Sequence, residues 1–295
     1  MFKINAERIE KIAKVLRSIG YGKILLLEEN DPQYKAVGRL LYSSMVKDAV
    51  AAIVANALIS YRLSGEGEKY WSEFSEYFST RLKGSRQLAM FREFLEKYSK
   101  YNRFLREQKL NRLRKFYGSS LYAKLKKDPL HYCDKLNEFN KELASIFKKS
   151  SYSKTIVFAT KMYYYVCRNL GYGVKPEKSI PIPVDRRVCF ISLTSGIIEN
   201  TIVPHSLKHY IEELMKKYAK LVVKAWGIVS EKTYIPPLNI DSIIWLSARF
   251  IRLHRNVKEI VEAFMKDYGS IISRDLLEKL FYELAYLLVS HRILY

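Results

Sequence analysis

The sequence predicts an all-α fold, and three observations carry that prediction. Its 295 residues include only 12 Gly and 8 Pro, little more than half the average usage, and a many-stranded fold needs more turn formers than that. Apolar side chains recur at three- and four-residue spacing along most of the chain, the period of helices with one buried face. Hydrophobic residues make up 48%, enough to bury a substantial core and to exclude wholesale disorder. Lys plus Arg number 51 against 30 Asp plus Glu, a net charge of +21, so an anionic partner is expected.

The elements follow in order. Ile9, Ile12, Ala13, Leu16 and Ile19 give an amphipathic helix over residues 5 to 19, stopped by Gly20. Beyond the acidic pair Glu28 and Glu29, Asp31 and Pro32 combine a capping side chain with a φ pre-set for the first helical position. A helix therefore starts there, with Gln33 in its first turn, and runs to about residue 61. Its apolar stretch Ala49 to Ile59 is too short for the roughly 20 residues of a membrane span, so it reads as core. Tyr70, Trp71, Phe74, Tyr77 and Phe78 mark an aromatic helix. From 103 to 115, RFLREQKLNRLRK gives a basic helix with a seam at Leu110, Leu113 and Phe116. Arg103, Arg106, Lys109 and Arg112 are its candidates for phosphate contacts, and the same run also reads as an ordinary solvated face.

Leu136, Phe139, Leu143, Ile146 and Phe147 predict the next helix, followed by a polar break at 148–153. The stretch KTIVFATKMYYYVC from 154 is apolar on nearly every side, so its helix must be central. Turn residues gather in GYGVKPEKSIPIP from 171 onward, a boundary or functional loop, and Asp185 caps the helix beyond it. A helix from about 206 to 228, a Pro236-Pro237 break, a helix opened by Asp241 and two more from Asn256 and Arg274 complete the chain. Cys133, Cys167 and Cys189 are isolated, so neither a disulfide scaffold nor a zinc ribbon is expected. His205 and His209 supply at most half a metal site. Charges interleave the first twenty residues, leaving no apolar stretch for a signal peptide, so a cytoplasmic location is expected.

Chemistry concentrates at two places. Lys154 opens the all-apolar helix, where the helix dipole and burial both favour a neutral, nucleophilic amine. The plainer alternative is an exposed lysine at a helix start. Lys161, seven residues on, shares its face and competes for that role, or tunes the charge around Asp185. Asp185 is an N-cap or, in addition, an ionised carboxylate that stabilises developing positive charge. Phe158 follows Lys154 by four residues, and Trp245 follows Asp241 by four, so each pair shares a helix face.

The segments SKTIVF and IPIPVDRRV resemble the helix-hairpin-helix DNA glycosylase superfamily, and the whole chain is similar to its archaeal 8-oxoguanine DNA glycosylase/lyase group. The supporting motifs are DPQYKA at 31–36, ALISYRLSGEGEKYW at 57–71, KTIVFATKM at 154–162, IPIPVD at 180–185 and PPLNIDSIIWL at 236–246. This resemblance implies two helical subdomains, a central one over 65–184 and a second from 1–64 plus 185–295, with the active-site cleft between them. It implies Lys154 and Asp185 as catalytic residues, and Gln33, Ser60, Trp71, Phe158, Pro183, Asp241 and Trp245 around the damaged base. It further implies a monomer acting on 8-oxoguanine and abasic sites in nucleoid DNA, with no metal or organic cofactor. One departure is the segment FKKSSYSK before the lysine, which lacks the glycines of the family's hairpin. Two other readings remain open: lysine chemistry on a different damaged base, and a non-catalytic helical nucleic-acid-binding protein whose charge serves phosphate contacts alone.

Overall fold

A computed structural model describes residues 1–82, 86–200, 207–254 and 256–290. It is helical, as expected, and divides into two compact units, Met1–Asn30 with the chain from Pro181 onward, and Asp31–Ile180. The expected division placed 31–64 with the flanking unit. Helices from that stretch pack instead on the central helices, which moves the boundary to Asp31.

The first unit opens with β1 (Lys3–Ile4) and α1 (Ala6–Ile19). The Asn5 side chain caps α1, accepting from the Arg8 N–H at 3.0 Å. Gly20, at φ +83°, turns the chain into α2 (Tyr21–Glu29), which sequence spacing did not anticipate.

The central unit begins as predicted, with Asp31 capping α3 (Pro32–Ser43) through the Gln33 N–H at 2.8 Å. Extended backbone at Ser44 and Met45 then separates α3 from α4 (Val46–Ile59), so the single long helix expected to about 61 is two. There follow α5 (Gly67–Ser79), α6 (Gln87–Glu93) running into a π turn at Phe94–Tyr98, α7 (Arg106–Tyr117), α8 (Ser120–Lys127), α9 (Leu136–Phe147) and α10 (Lys154–Asn169). α10 packs on α3, α4 and α9, and Tyr163, Tyr164 and Tyr165 are fully buried along it. The Phe139 ring stacks on Tyr163 with centroids 4.4 Å apart. Full burial of an aromatic side chain contributes roughly 1.5–3 kcal/mol, which is how a helix with so little polar surface is stabilised.

The glycine-free turn before α10 closes through Lys148, which adopts the left-handed conformation at φ +49°. A lysine thus occupies a conformation usually left to glycine, at a cost of roughly 1–2 kcal/mol. Asn140 of α9 holds the far side of the turn, donating to the Ser151 carbonyl at 3.1 Å and accepting from the Thr160 hydroxyl at 3.0 Å.

Cys133 and Cys167 form a disulfide across 34 residues, pinning the end of α10 to the turns before α9. The isolated spacing predicted none, because pairing here depends on the fold and leaves no local pattern. Closing a loop of this length contributes about 4 kcal/mol in the chain-entropy treatment. The double variant Cys133→Ser/Cys167→Ser is therefore expected to unfold at clearly lower denaturant concentration than the oxidised protein, with dithiothreitol reproducing the effect. Coincident unfolding curves would show that the bond contributes nothing.

The remaining helices belong to the first unit: α11 (Arg186–Thr194), α12 (Leu207–Lys217), α13 (Ala219–Thr233), α14 (Pro237–Leu253), α15 (Val257–Tyr268), α16 (Arg274–Leu284) and α17 (Tyr286–Ser290). A two-residue β2 (Ile198–Glu199) pairs antiparallel with β1. The helix expected over 206–228 is interrupted at Tyr218. α14 opens at Pro237, not at Asp241, which lies one turn inside. α1 packs between α13 and α16, and α14 packs on α2 and α11. Arg8 is the buried polar joint of this unit: it pairs with Glu283 at 2.6 Å, donates to the Ser195 carbonyl at 2.8 Å and stacks on Tyr286. Among the described residues no helix is long and apolar enough to cross a membrane.

Candidate functional site

In the central unit, Lys154 is the first residue of α10. The Ser153 carbonyl takes the N–H groups of Ile156 and Val157 at 2.9 and 3.0 Å, while Ser153 makes no side-chain cap. Lys154 is exposed, whereas Ile156 and Val157 are buried, so the expectation of a buried amine is corrected. Helical side chains lean toward the N-terminus, so a side chain at the first position reaches back past the turn that Ile156 and Val157 bury. Phe158, half-buried one turn along, meets the edge of Trp71 with centroids 6.0 Å apart. Trp71 is buried and also packs on Phe74. Ser60 ends α4, its hydroxyl donating to the Asn56 carbonyl at 2.7 Å.

Gln33 is buried in the first turn of α3. Beneath it, Asp31 accepts from the Tyr165 hydroxyl at 2.9 Å. Burial raises the Asp31 pKa, opposed by the charge of Lys161 and by the Gln33 N–H and Tyr165 hydroxyl. Lys161 is itself buried, over the Tyr165 ring. Its charge acts on Asp31 within this unit, which places it in a support for Gln33 rather than at the surface.

The basic run divides, and its helix starts at Arg106 rather than 103, so Arg103 lies before α7. Arg103 and Arg106 are exposed. Arg112 is half-buried, donates to the Thr155 hydroxyl at 2.7 Å and lies over the Phe147 ring, so it fixes the first turn of α10. Lys109 is fully buried, its amine donating to Asn102, whose side-chain nitrogen donates to the Ile59 carbonyl. As a phosphate contact Lys109 is thus corrected: it braces the turn beside Ser60. Burial depresses its pKa to about 8, from 10.5. Between those values the unfolded chain keeps a proton that the folded chain has released, so stability rises with pH through that window. Against Lys109→Met, the wild-type chain is expected to gain stability from pH 8 to 10.5, measured by urea denaturation. A difference independent of pH would mean that the amine stays hydrated.

In the flanking unit, Asp185 caps α11 as predicted, one oxygen accepting from the N–H groups of Arg187 and Val188 at 2.9 and 3.0 Å. Pro183 and Val184 before it are buried and fix its approach. Asp241 is buried in the second turn of α14 and Trp245 is half-buried one turn later. Two residues to which the sequence assigns no role support them. Glu28, fully buried on α2, accepts from the Ser242 hydroxyl at 2.6 Å and from the Asn239 amide. The Arg187 guanidinium lies on the Trp245 ring. Both join positions far apart in sequence, so no local spacing signals them. Among the described residues no group of three or more His, Cys, Asp or Glu is placed to hold a metal ion, and His205 lies outside them.

Known proteins resemble this chain over most of its length. The family model described as AGOG, N-glycosylase/DNA lyase, matches residues 13–279. An N-glycosylase/DNA lyase of Pyrobaculum aerophilum is 32% identical over 268 residues, 87% of this chain and 94% of that one. Another from Methanopyrus kandleri is 33% identical over 236 residues, 78% of this chain and 86% of that one. The crystal structure of Pa-AGOG, an 8-oxoguanine DNA glycosylase from Pyrobaculum aerophilum complexed with 8-oxoguanosine, superposes with a TM-score of 0.72 at 29% identity, covering 88% of this chain and 96% of that one.

Proposed function

Because the chain belongs to the AGOG family of N-glycosylase/DNA lyases, we propose that it removes 8-oxoguanine from DNA and cuts the strand at the same site through Lys154. The observation that carries the reading is an exposed primary amine at the first position of a buried helix, with an aromatic ring one turn further on. The amine, once neutral, attacks C1′ of the flipped nucleotide. The glycosidic C–N bond breaks, the base leaves with the bonding electrons and takes up a proton, and loss of the amine proton with opening of the sugar gives a Schiff base. Removal of a C2′ proton then expels the 3′ phosphate and nicks the strand. Asp185 stabilises positive charge on the sugar as the base departs. Because Lys154 is exposed in the free chain, its desolvation belongs to the DNA complex.

Phe158 and Trp245 serve as stacking surfaces for the base, and Asp241, Gln33, Ser60, Trp71 and Pro183 line its recognition. Gln33, held through its backbone by Asp31, offers an amide oxygen to N7–H, a donor that 8-oxoguanine has and guanine lacks. Arg103 and Arg106 meet phosphates, in keeping with the net charge of +21. The protein works as a monomer on cytoplasmic, nucleoid DNA and needs no cofactor for this chemistry. Strand cleavage of a duplex bearing one 8-oxoguanine, against the matching guanine duplex, tests the reading. Cleavage of another lesion alone would change the substrate, and tight binding of both duplexes without cleavage would favour a non-catalytic binder.

A further inference from the structure

Arg187 is the second residue of α11 and touches both ends of one unit's chemistry. Its N–H donates to Asp185 at 2.9 Å, its guanidinium carbon lies 3.9 Å from the centroid of the Trp245 ring, and its Nη1 donates to the Trp245 carbonyl at 3.3 Å. A guanidinium this close over an indole makes a cation–π contact, and the added bond to the backbone of the same residue restrains ring and main chain together. An indole has two faces. With Arg187 on one, the stacking role proposed for Trp245 falls to the other.

We propose that Arg187 is a positioning residue for lesion recognition: it fixes the plane of Trp245 and ties that plane to the turn that carries Asp185, without itself touching the base. This rests on Trp245 being a stacking surface for the lesion. A long side chain left free to rotate would lose rotamer freedom at each binding event, and a ring already clamped avoids that loss.

The test measures affinity for a duplex containing an uncleavable 2′-fluoro-8-oxoguanosine and for its undamaged counterpart, at several salt concentrations, with Arg187→Met, Arg187→Lys, Trp245→Ala and the Arg187→Met/Trp245→Ala double variant. Methionine keeps the stem's packing, and thermal melts confirm that each variant is folded. Arg187→Met is expected to lose about tenfold in lesion affinity relative to undamaged duplex, the size of one stacking interaction. Arg187→Lys should lose nearly as much, because an ammonium does not stack as a plane. In the Trp245→Ala background, Arg187→Met should change nothing further. Rescue by lysine, or equal losses on both duplexes with a shallower salt dependence, would make Arg187 a phosphate contact and overturn the proposal. Losses that multiply in the double variant would also overturn it. If Trp245→Ala keeps full lesion selectivity, the stacking role of Trp245 falls first; if Trp245→Ala loses selectivity and Arg187→Met does not, only the role of Arg187 falls.

Discussion

Lys154→Ala is expected to abolish borohydride trapping of the protein on 8-oxoguanine DNA and to lower strand cleavage by about three orders of magnitude or more, as loss of a covalent nucleophile does. Binding of the lesion duplex should survive. Lys154 is exposed at the start of α10, and substitutions at such sites usually change stability by no more than about 0.5 kcal/mol, so lost activity would not report unfolding. The contrast is Lys161, buried beside Asp31. Its removal takes away the positive charge that opposes the burial of the Asp31 carboxyl, a destabilising change. Lys161→Met should therefore melt earlier yet still trap through Lys154 below its melting temperature. Equal trapping by wild type and Lys154→Ala would move the nucleophile elsewhere.

Asp185→Asn is expected to slow single-turnover base release by roughly 10²–10⁴-fold while leaving the melting temperature almost unchanged. The reason lies in the double duty of one side chain. Its oxygen accepts the N–H groups of Arg187 and Val188, a task that asparagine performs about as well. Asparagine cannot supply the negative charge that steadies an oxocarbenium-like sugar. Asp185→Ala should lose both, adding a capping loss of about 1 kcal/mol. An undiminished rate in Asp185→Asn would confine this residue to capping.

Much of this architecture is legible in the amino-acid order. The 3–4 spacing locates α1, α5 and α9, the all-apolar run from 154 locates α10, and Asp31, Asp185 and Asn256 cap where capping chemistry places them. The breaks at Ser44–Met45 and Tyr218 contain neither Gly nor Pro, so periodicity alone joins the helices they divide. Residue type alone marks Asp241 as a cap, although Pro236 and Pro237 already open that helix. Lys109 carries an overlooked signal: it precedes Leu113 by four residues and Phe116 by seven, which puts it on the buried seam rather than the basic face. The burial of α10 suggests a buried Lys154, yet the first position of a helix escapes the packing of the turns behind it. The contacts of Glu28 with Asn239 and Ser242 span 211 and 214 residues, and no pattern within one sequence encodes a meeting at that range.

The bond between Cys133 and Cys167 has a practical side. One polypeptide can exist as two covalent species that differ by two hydrogens, and the redox poise of the host sets their ratio. Heating such a preparation enriches the cross-linked form, because the open form denatures first. A purification that includes a heat step therefore selects a chemical species as well as removing contaminants, and assays performed before and after it sample different populations.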